Sequence, residues 1–405
     1  MRRDVRFRAT GSLSYTIFLS LLVILSACCF GSYPVRAEVI RLGEINPLTG
    51  SFALHGLEIH QGITYAVEEV NARGGVQGRR VELLSRDDQS RPDVALNQTQ
   101  DLLYREKVVG LLGGYVDSLV SPISSLAARC SVPYVAAASL QKSLTAKPNP
   151  FFFRVSCISG VIQPLCRFLG EELKPKRVAI LYMATPGSTE FAQGVKESLG
   201  KYGIQTVVCE KFRPGAPDFS VFLLKVKQQK AEVVISGGFF QDNLLLVRQL
   251  GEQQTSIQAF IAPWGVAYEK FIREMGRSGE GLMGMCAWNP GITQPGTEKV
   301  SQDFVRGFSQ RFGQMPNTTT MHGYTAARAL LAAVEQAVLK PEGLNGAAIS
   351  RALRNLDLLL PMERLRFDNQ GDPLDYNQVI VQVQKGQLQV VYPTGRATAG
   401  SIRYK

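Results

Sequence analysis

The chain has few of the residues from which metal sites and covalent catalytic sites are built. It contains three histidines and seven cysteines among 405 residues, and no two cysteines stand at a C-x-x-C spacing. No histidine stands at a metal-ligand spacing from a cysteine, so we expect no zinc site. The G-x-S-x-G, H-E-x-x-H, P-loop and dinucleotide-binding fingerprints are also missing. We therefore predict no metal, no cofactor and no enzyme activity.

The chain also lacks any run of lysine and arginine, although its formal net charge is +11. Residues 1–37 carry a net +4, which leaves +7 scattered among acidic residues in the rest of the chain. A nucleic-acid-binding face concentrates its basic residues and interleaves them with aromatic ones. We therefore predict no nucleic-acid partner.

A short apolar stretch follows the arginine-rich start. Residues 17–25 read IFLSLLVIL, too short to span a bilayer and typical of the h-region of a signal peptide. The sequence offers two alternative cleavage sites. The segment VRA, ending at Ala37, fits signal peptidase, and the segment LSAC, ending at Cys28, resembles a bacterial lipobox. The lipobox is favoured because it abuts the h-region, and an acylated Cys28 would anchor the protein to a membrane face. We expect residues 1–37 to be a leader and the protein to reach the periplasm or cell envelope of a bacterium.

The chain is rich in alternating strand and helix patterns. With 45% hydrophobic and 20% charged residues, it is long enough for two cores of about 150 residues each. Apolar strand-like runs such as RRVELLSRDD, VVGLLGG and VPYVAAAS alternate with helical runs such as PDVALNQTQDLLYREK. The alternation restarts after residue 157 with RVAILYM, QTVVCEKF, AEVVISGG and QAFIAP. These patterns predict an α/β protein with two doubly wound parallel sheets.

The loops that follow these strands share small residues, hydroxyls and aromatic rings. They read NPLTGSF, GGYVDS, AAASLQ, MATPGST, GGFFQD and APWG, and they contain no acid pair, nucleophile or general base. Ligands collect beyond the carboxyl ends of parallel strands. The loops therefore predict a cleft for a small polar ligand, with Thr49, Ser51 and Phe52 offered by the first loop.

In this order the segments are similar to those of the type I periplasmic substrate-binding proteins of ABC importers, specifically the branched-chain amino acid (Leu/Ile/Val) type. The resemblance spans nearly all of the chain after the leader, and no single motif carries it alone. The segments that carry it are NPLTGSFALHG, GITYAVEEVNARGGVQGRRVELLSRDDQS, GGYVDSLVSPISSLA, VPYVAAAS, FFFRVS, FRPGAPDFSVFLLKVKQQKAEVVISGGFFQDNLLLVRQL and TMHGYTAARALLAAVEQA.

The resemblance implies two α/β lobes joined by three hinge strands, with the chain crossing near residues 157, 287 and 375. The first lobe would take residues 38–157 and 287–374, and the second lobe residues 158–286 and 375–405. A small molecule, an amino acid or a related compound, would bind between the lobes, which close over it. A monomer of this kind would deliver its ligand unchanged to an ABC permease in the inner membrane.

The resemblance also implies which residues touch the ligand. The loops after the third and fourth strands would hold the ligand carboxylate through backbone N–H groups and hydroxyls. Asp117 stands where the family has a ligand-binding serine, and Trp264 stands where it has the glutamate that takes the ligand ammonium. The expected ligand-binding set is Phe52, Tyr115, Asp117, Ser118, Ala138, Ser139, Phe239, Phe240 and Trp264. With Trp264 in that place, we expect a ligand that is less cationic than leucine and that has an accepting end and an apolar or aromatic body.

Several alternatives stay open from the sequence. The aromatic residues of the set could be core rings, and Ser118 and Ser139 could cap helices. We expect His55 to be a solvated loop residue, and Cys157 and Cys166 either to form a disulfide or to remain free thiols. The rival functions are an enzyme, which the missing motifs disfavour, and a sensory module. A sensory chain normally continues into a transmembrane helix and an output domain, so the end at Lys405 favours a free-standing carrier.

Overall fold

The computed structural model describes residues 39–399, together with residues 1, 4, 401 and 402. The predicted h-region, Cys28 and both predicted cleavage sites lie outside the described residues. In the part of the chain that is described, no helix is both long enough and apolar enough to cross a membrane.

The first sheet has five parallel strands in the order β2-β1-β3-β4-β5. The strands are β1 (Ile40–Asn46), β2 (Val81–Asp87), β3 (Gly110–Tyr115), β4 (Tyr134–Ala138) and β5 (Phe152–Arg154). Between them run the helices α1 (Ala53–Ala72), α2 (Pro92–Gln100) and α3 (Asp117–Arg129), with a π-helical turn after α2 at Asp101–Arg105. Every residue of β3 is buried, as in parallel strands covered on both faces. The predicted strand and helix alternation is confirmed here.

The second sheet has seven strands in the order β14-β13-β10-β9-β8-β6-β7. The strands are β6 (Arg177–Met183), β7 (Gln205–Phe212), β8 (Val233–Gly237), β9 (Ala259–Ala262), β10 (Met283–Cys286), β13 (Val379–Gln384) and β14 (Gln387–Tyr392). The helices that alternate with them are α4 (Ser159–Phe168), α5 (Pro186–Gly200), α6 (Ser220–Gln228), α7 (Phe240–Glu252) and α8 (Glu269–Met275).

This second sheet is not wholly parallel, which differs from the prediction. Strand β13 runs antiparallel to both β10 and β14. Only Lys385 and Gly386 join β13 to β14, and both have positive φ angles, 54° and 71°. A two-residue link of this kind allows only a hairpin, because parallel neighbours need a long crossover.

Three helices near the end of the chain return to the first sheet. They are α9 (Glu298–Phe312), α10 (Thr318–Val338) and α11 (Gly346–Arg354), followed by the short pair β11 (Leu358–Leu359) and β12 (Arg364–Leu365). Helix α10 packs along α1 and against β3 and β4. Helices α1 and α10 approach each other closely at Gly62 of α1, where a Cβ would lie 2.0 Å from the carbonyl oxygen of Thr320 in α10.

The chain therefore passes between the two sheets three times: after β5, after β10 and before β13. We call the first sheet with α1–α3 and α9–α11 the first lobe, and the second sheet with α4–α8 the second lobe. The two lobes agree with the type I architecture. The residue limits predicted for each lobe remain a prediction.

The disulfide alternative is wrong, because Cys157 and Cys166 are both free thiols. Their sulfur atoms have different partners: Cys157 Sγ lies 3.2 Å from Ser159 Oγ, and Cys166 Sγ donates to the carbonyl oxygen of Val195 at 3.9 Å. Burial raises the pKa of Cys166 to about 12, so this thiol stays protonated at neutral pH.

Candidate functional site

Loops at the strand ends of both sheets surround a cavity of about 90 Å³. This volume corresponds to on the order of six to nine water-sized groups, which suits a small organic solute. The loops after β3 and β4 line it from the first lobe, and those after β6, β8 and β9 line it from the second. The first turns of α10 and residues 376 and 378 also contribute. The cavity thus lies where parallel sheets usually place ligands.

An aromatic wall forms one side of this cavity. It consists of Tyr115 from the first lobe and Phe239 and Trp264 from the second. The ring centroids of Tyr115 and Phe239 are 6.1 Å apart, and those of Phe239 and Trp264 are 5.7 Å apart, both in tilted geometry. Phe191 supports Trp264 from behind at 5.1 Å in a T-shaped arrangement. The wall can receive a flat or bulky apolar group.

Six of the nine predicted residues line the cavity: Tyr115, Asp117, Ser118, Ala138, Phe239 and Trp264. Ser118 is exposed, and α3 has no side-chain cap, so Ser118 is free of the alternative capping role.

The other three predicted residues are not among those lining the cavity. Phe52 packs behind the aromatic wall, 5.8 Å from Tyr115 and 6.2 Å from Phe239 between ring centroids. Ser139 is buried, and its hydroxyl has no hydrogen-bond partner in the described part of the chain. Phe240 is 3% exposed and packs edge-on against Phe271, because it opens α7 and faces the core of the second lobe. Phe240 is therefore a core ring, which is one of the two alternatives that the sequence left open.

Two expectations about the first loop are wrong. Thr49 does not face the cavity, since its hydroxyl donates to Asp87 Oδ2 at 2.6 Å and ties the loop to β2; Ser51 is exposed on the same loop. His55 is not solvated: it lies in α1, is 6% exposed and stacks on Tyr115 with ring centroids 4.7 Å apart. Helix α1 begins at Ala53, and within it His55 faces inward.

Asp117 occupies the donors that we expected a ligand carboxylate to use. Its Oδ1 accepts hydrogen bonds from the backbone N–H groups of Leu140 and Gln141, each at 2.8 Å. Burial raises the pKa of Asp117, and these bonds from Gln141 and Leu140 oppose the rise by favouring the charged form. The preceding Val116 has φ 64° and ψ 147°, a conformation that β-branched residues rarely adopt. A strained turn therefore holds Asp117 in place.

Three polar residues missed by the sequence analysis line the cavity near the third crossing. Gln378 Nε2 donates to the Tyr376 hydroxyl at 2.8 Å, which lies 3.5 Å from His322 Nε2. Burial lowers the pKa of His322 to about 4, so the ring is uncharged at neutral pH. Gln378 Oε1 has no hydrogen-bond partner within the described chain. No local signal marks these residues, because they meet only when the chain makes its last crossing.

Asn243 holds together the two loops that carry the aromatic wall. It is fully buried; its Nδ2 donates to the carbonyl oxygens of Trp264 at 2.6 Å and Gly238 at 3.2 Å. Its Oδ1 accepts from Ser236 Oγ at 2.6 Å. One side chain thus fixes the backbone at Gly238, directly before Phe239, and at Trp264 itself. In the sequence, Asn243 stands out only as a polar residue that follows GGFF in the first turn of a helix.

The two lobes touch across the cleft. The backbone N–H of Lys142 donates to Glu190 Oε2 at 2.9 Å, and the Tyr268 hydroxyl lies 2.7 Å from Thr319 Oγ1. Gly187, in the first turn of α5, lies so close to Asp117 that a Cβ there would stand 2.2 Å from Asp117 Oδ2. These contacts belong to a closed arrangement of the lobes.

Replacing Gly187 by alanine is expected to weaken solute binding by about 1 to 3 kcal/mol, since the added methyl group overpacks the contact with Asp117 only when the lobes close. The change is measured by calorimetry with a solute found by screening. Gly200→Ala is the matched control, because Gly200 ends the same helix and has no atom within 4 Å of its would-be Cβ. Equal affinities for the two variants would contradict the closed contact.

The lining chemistry suits binding rather than catalysis. Among the described residues that line the cavity, none is lysine, arginine or cysteine, and Asp117 is the acid. The described part of the chain also contains no cluster of histidine, cysteine, aspartate and glutamate that could hold a metal ion. The residues present can stack on an apolar body and exchange hydrogen bonds with a few polar atoms.

Comparison with known proteins agrees with this geometry. The sequence pattern of the family described as periplasmic binding protein matches residues 39–387. The Leu/Ile/Val-binding protein homolog 7 of Brucella suis is 25% identical over 95% of this chain and 97% of its own length.

Solved structures share the fold. The leucine binding protein LivK of Thermotoga maritima superposes with a TM-score of 0.78 at 24% identity, over 87% of this chain and 97% of its own. A solute binding protein of Rhodopseudomonas palustris, solved with 3,4-dihydroxybenzoic acid, has a TM-score of 0.76 at 22% identity, over 86% of this chain and 95% of its own. At these identities the likeness shows the fold.

The family match spans most of the chain, and the two lobes enclose a cavity lined for binding. The resemblance seen in the sequence is thereby confirmed: the chain belongs to the periplasmic binding protein family, as a type I solute-binding protein and not an enzyme.

Proposed function

We propose that this protein is the solute-binding component of a bacterial ABC importer. It captures an amino acid or a related small carboxylate or amide between its lobes and delivers it to a permease in the inner membrane. The cavity between loops of both lobes is the observation that carries the proposal. Relatives named as Leu/Ile/Val-binding proteins support the amino-acid side of it, and the aromatic wall with Trp264 supports a bulkier, less cationic solute.

The proposal places the protein outside the cytoplasm as a monomer. The predicted leader supports export, and the lipobox supports anchoring through an acylated Cys28. Metabolic labelling with palmitate tests the anchor: label on the wild type and none on Cys28→Ser is expected, and an unlabelled wild type would contradict it.

A thermal-shift screen tests the binding function. The library contains amino acids, small carboxylates, amides and aromatic acids, each added to the purified protein. A solute present at 100 times its dissociation constant adds about 2.7 kcal/mol to the free energy of unfolding. Recovery of every solute unchanged after incubation is also expected. A library that stabilises nothing would contradict the proposed function.

Small-angle scattering tests the closing of the lobes. Ligands of two-lobed binding proteins shift the population toward the closed form. We therefore expect the radius of gyration to fall on adding the solute, with unchanged circular dichroism. A radius that stays constant at saturation would argue against a closing cleft.

A further inference from the structure

Asp117 supplies from within the protein the carboxylate that the first lobe would otherwise take from a ligand. Leu140 N and Gln141 N are backbone donors beside the cavity, and both are bonded to Asp117 Oδ1. A ligand carboxylate would have to displace this side chain to reach them. Such displacement loses two hydrogen bonds to a charged group, each stronger than a neutral one.

The positive end of α5 is compensated by the same side chain. Helix N-termini attract anions through their free N–H groups and dipole. Asp117 Oδ2 lies against Gly187 in the first turn of α5, where a Cβ on Gly187 would stand 2.2 Å from this oxygen. Both features that could attract a ligand anion, the loop after β4 and the start of α5, therefore face a carboxylate that is already in place.

The rest of the lining offers no positive charge to a ligand anion. The residues along the third crossing and α10 are neutral: Gln378, Tyr376, the uncharged His322 and two threonines. Arg154 attracts Asp117 electrostatically and donates to the carbonyl oxygen of Gln141, but its guanidinium is already engaged by Asp372. A bare carboxylate in this cavity would lose its hydration and meet Asp117 instead of a cation.

The orphaned polar atoms show what the cavity can recognise. Gln378 Oε1 is a buried acceptor without a partner, and the Ser188 hydroxyl, 2% exposed as a residue, also lacks one in the described chain. Both side chains line the cavity. A buried acceptor without a donor is costly, so a ligand N–H or O–H group that reaches it adds affinity.

We propose that the cavity selects an uncharged solute that carries an amide or another neutral N–H or O–H donor on an apolar body, and that Asp117 excludes free carboxylates. The donor meets Asp117 Oδ2 or Gln378, the ligand carbonyl accepts from the Ser188 hydroxyl, and the body lies on Trp264. This inference rests on the proposed solute-binding function and narrows its ligand class.

Matched series of acid, amide and amine test the proposal by calorimetry. The probes are benzoate, benzamide and benzylamine, and the aliphatic set isovalerate, isovaleramide and isopentylamine. In wild-type protein we expect the amide of at least one set to bind at least tenfold more tightly than its acid and its amine. Tightest binding of an acid or an amine, or no binding of either amide, overturns the proposal.

Variants of Asp117 separate its charge from its shape. Asp117→Asn keeps the side-chain size and an acceptor, and Asp117→Ser frees the two backbone donors. In both we expect the preference for amide over acid to fall at least tenfold, with the larger fall in Asp117→Ser. An unchanged preference in both variants would show that Asp117 does not exclude the acid.

The experiments distinguish a failure of this inference about the ligand class from a failure of the proposed solute-binding function. Binding of leucine or another amino acid in the wider screen, with no preference for amides, removes this inference and leaves the solute-binding function standing. The wild-type comparison needs no variant to fold, so the proposal can be overturned even if both substitutions destabilise the protein.

Discussion

Replacing Arg154 by methionine is expected to lower the free energy of unfolding by about 3 to 5 kcal/mol, because the change removes a buried guanidinium and leaves the Asp372 carboxylate, whose side chain is 20% exposed, without its cation. Arg154 is 1% exposed and binds Asp372 through two hydrogen bonds, Nε to Oδ1 at 2.6 Å and Nη2 to Oδ2 at 3.0 Å. Its Nη1 also donates to the carbonyl oxygen of Gln141 at 2.8 Å. Urea denaturation followed by circular dichroism measures the loss.

Arg366→Met is the matched control for that experiment. Arg366 also pairs with an aspartate, Asp375, at 2.6 Å, but both side chains are more than 40% exposed. Exposed pairs contribute at most about 1 kcal/mol. Similar losses in the two variants would contradict the role given to burial. The double variant Arg154→Met/Asp372→Leu should recover part of the loss, because it removes the orphaned carboxylate as well.

The Arg154 variant should also weaken solute binding. The guanidinium holds the carbonyl of Gln141, whose N–H bonds to Asp117 at the cavity. Loosening this loop lets it move away from the closed arrangement in which Lys142 meets Glu190. The loop after β4 thus connects the Arg154–Asp372 ion pair of the first lobe to the cavity.

The second large effect concerns Trp264. We expect Trp264→Ala to weaken solute binding on the order of 30- to 1,000-fold, the size of effect expected when an aromatic hot-spot residue of a binding site is truncated. The indole forms the end of the aromatic wall and touches Phe239 and Phe191. Calorimetry on the variant and the wild type, with the best solute from the screen, measures the change.

The second tryptophan supplies the control. The chain has two tryptophans, and Trp288 is fully buried, does not line the cavity, and donates from its Nε1 to Ser301 Oγ at 2.8 Å. Trp288→Phe should leave affinity unchanged and keep a ligand-dependent change in fluorescence, because the remaining indole lies at the cavity. Trp264→Phe should abolish that change. A signal that disappears with Trp288 instead would contradict the placement of the solute.

Much of the framework could be read from local patterns. The segment predicted as QTVVCEKF is strand β7, Gln205–Phe212, without a shift at either end. Strands and helices with a buried face repeat their apolar residues at fixed spacing, so this information is contained within each segment. The loops named as ligand-facing followed from the same patterns, since strand ends of a parallel sheet share one edge.

The hairpin at the end of the second sheet was not predicted. The run of valines and glutamines in β13 alternates like any other strand, and the antiparallel return of β14 depends on the two positive-φ residues that join the strands. The role of Asp117 was open for a similar reason. Its carboxylate bonds to the backbone of a loop that follows another strand, and no pattern within the segment around Asp117 marks those partners.

The sequence by itself determined the α/β class, the two sheets, the family and most of the loops that line the cavity, because each depends on residues close together in the chain. The tertiary structure decided what those loops present to a ligand. It buried the side chain of Phe240 in the core of the second lobe and brought His322 and Gln378 to the cavity. It also bonded the Asp117 carboxylate to the backbone N–H groups of the loop after β4. The physical reason is that hydrogen-bond partners and exposed faces depend on segments far apart in the chain, which meet only when the lobes fold and close.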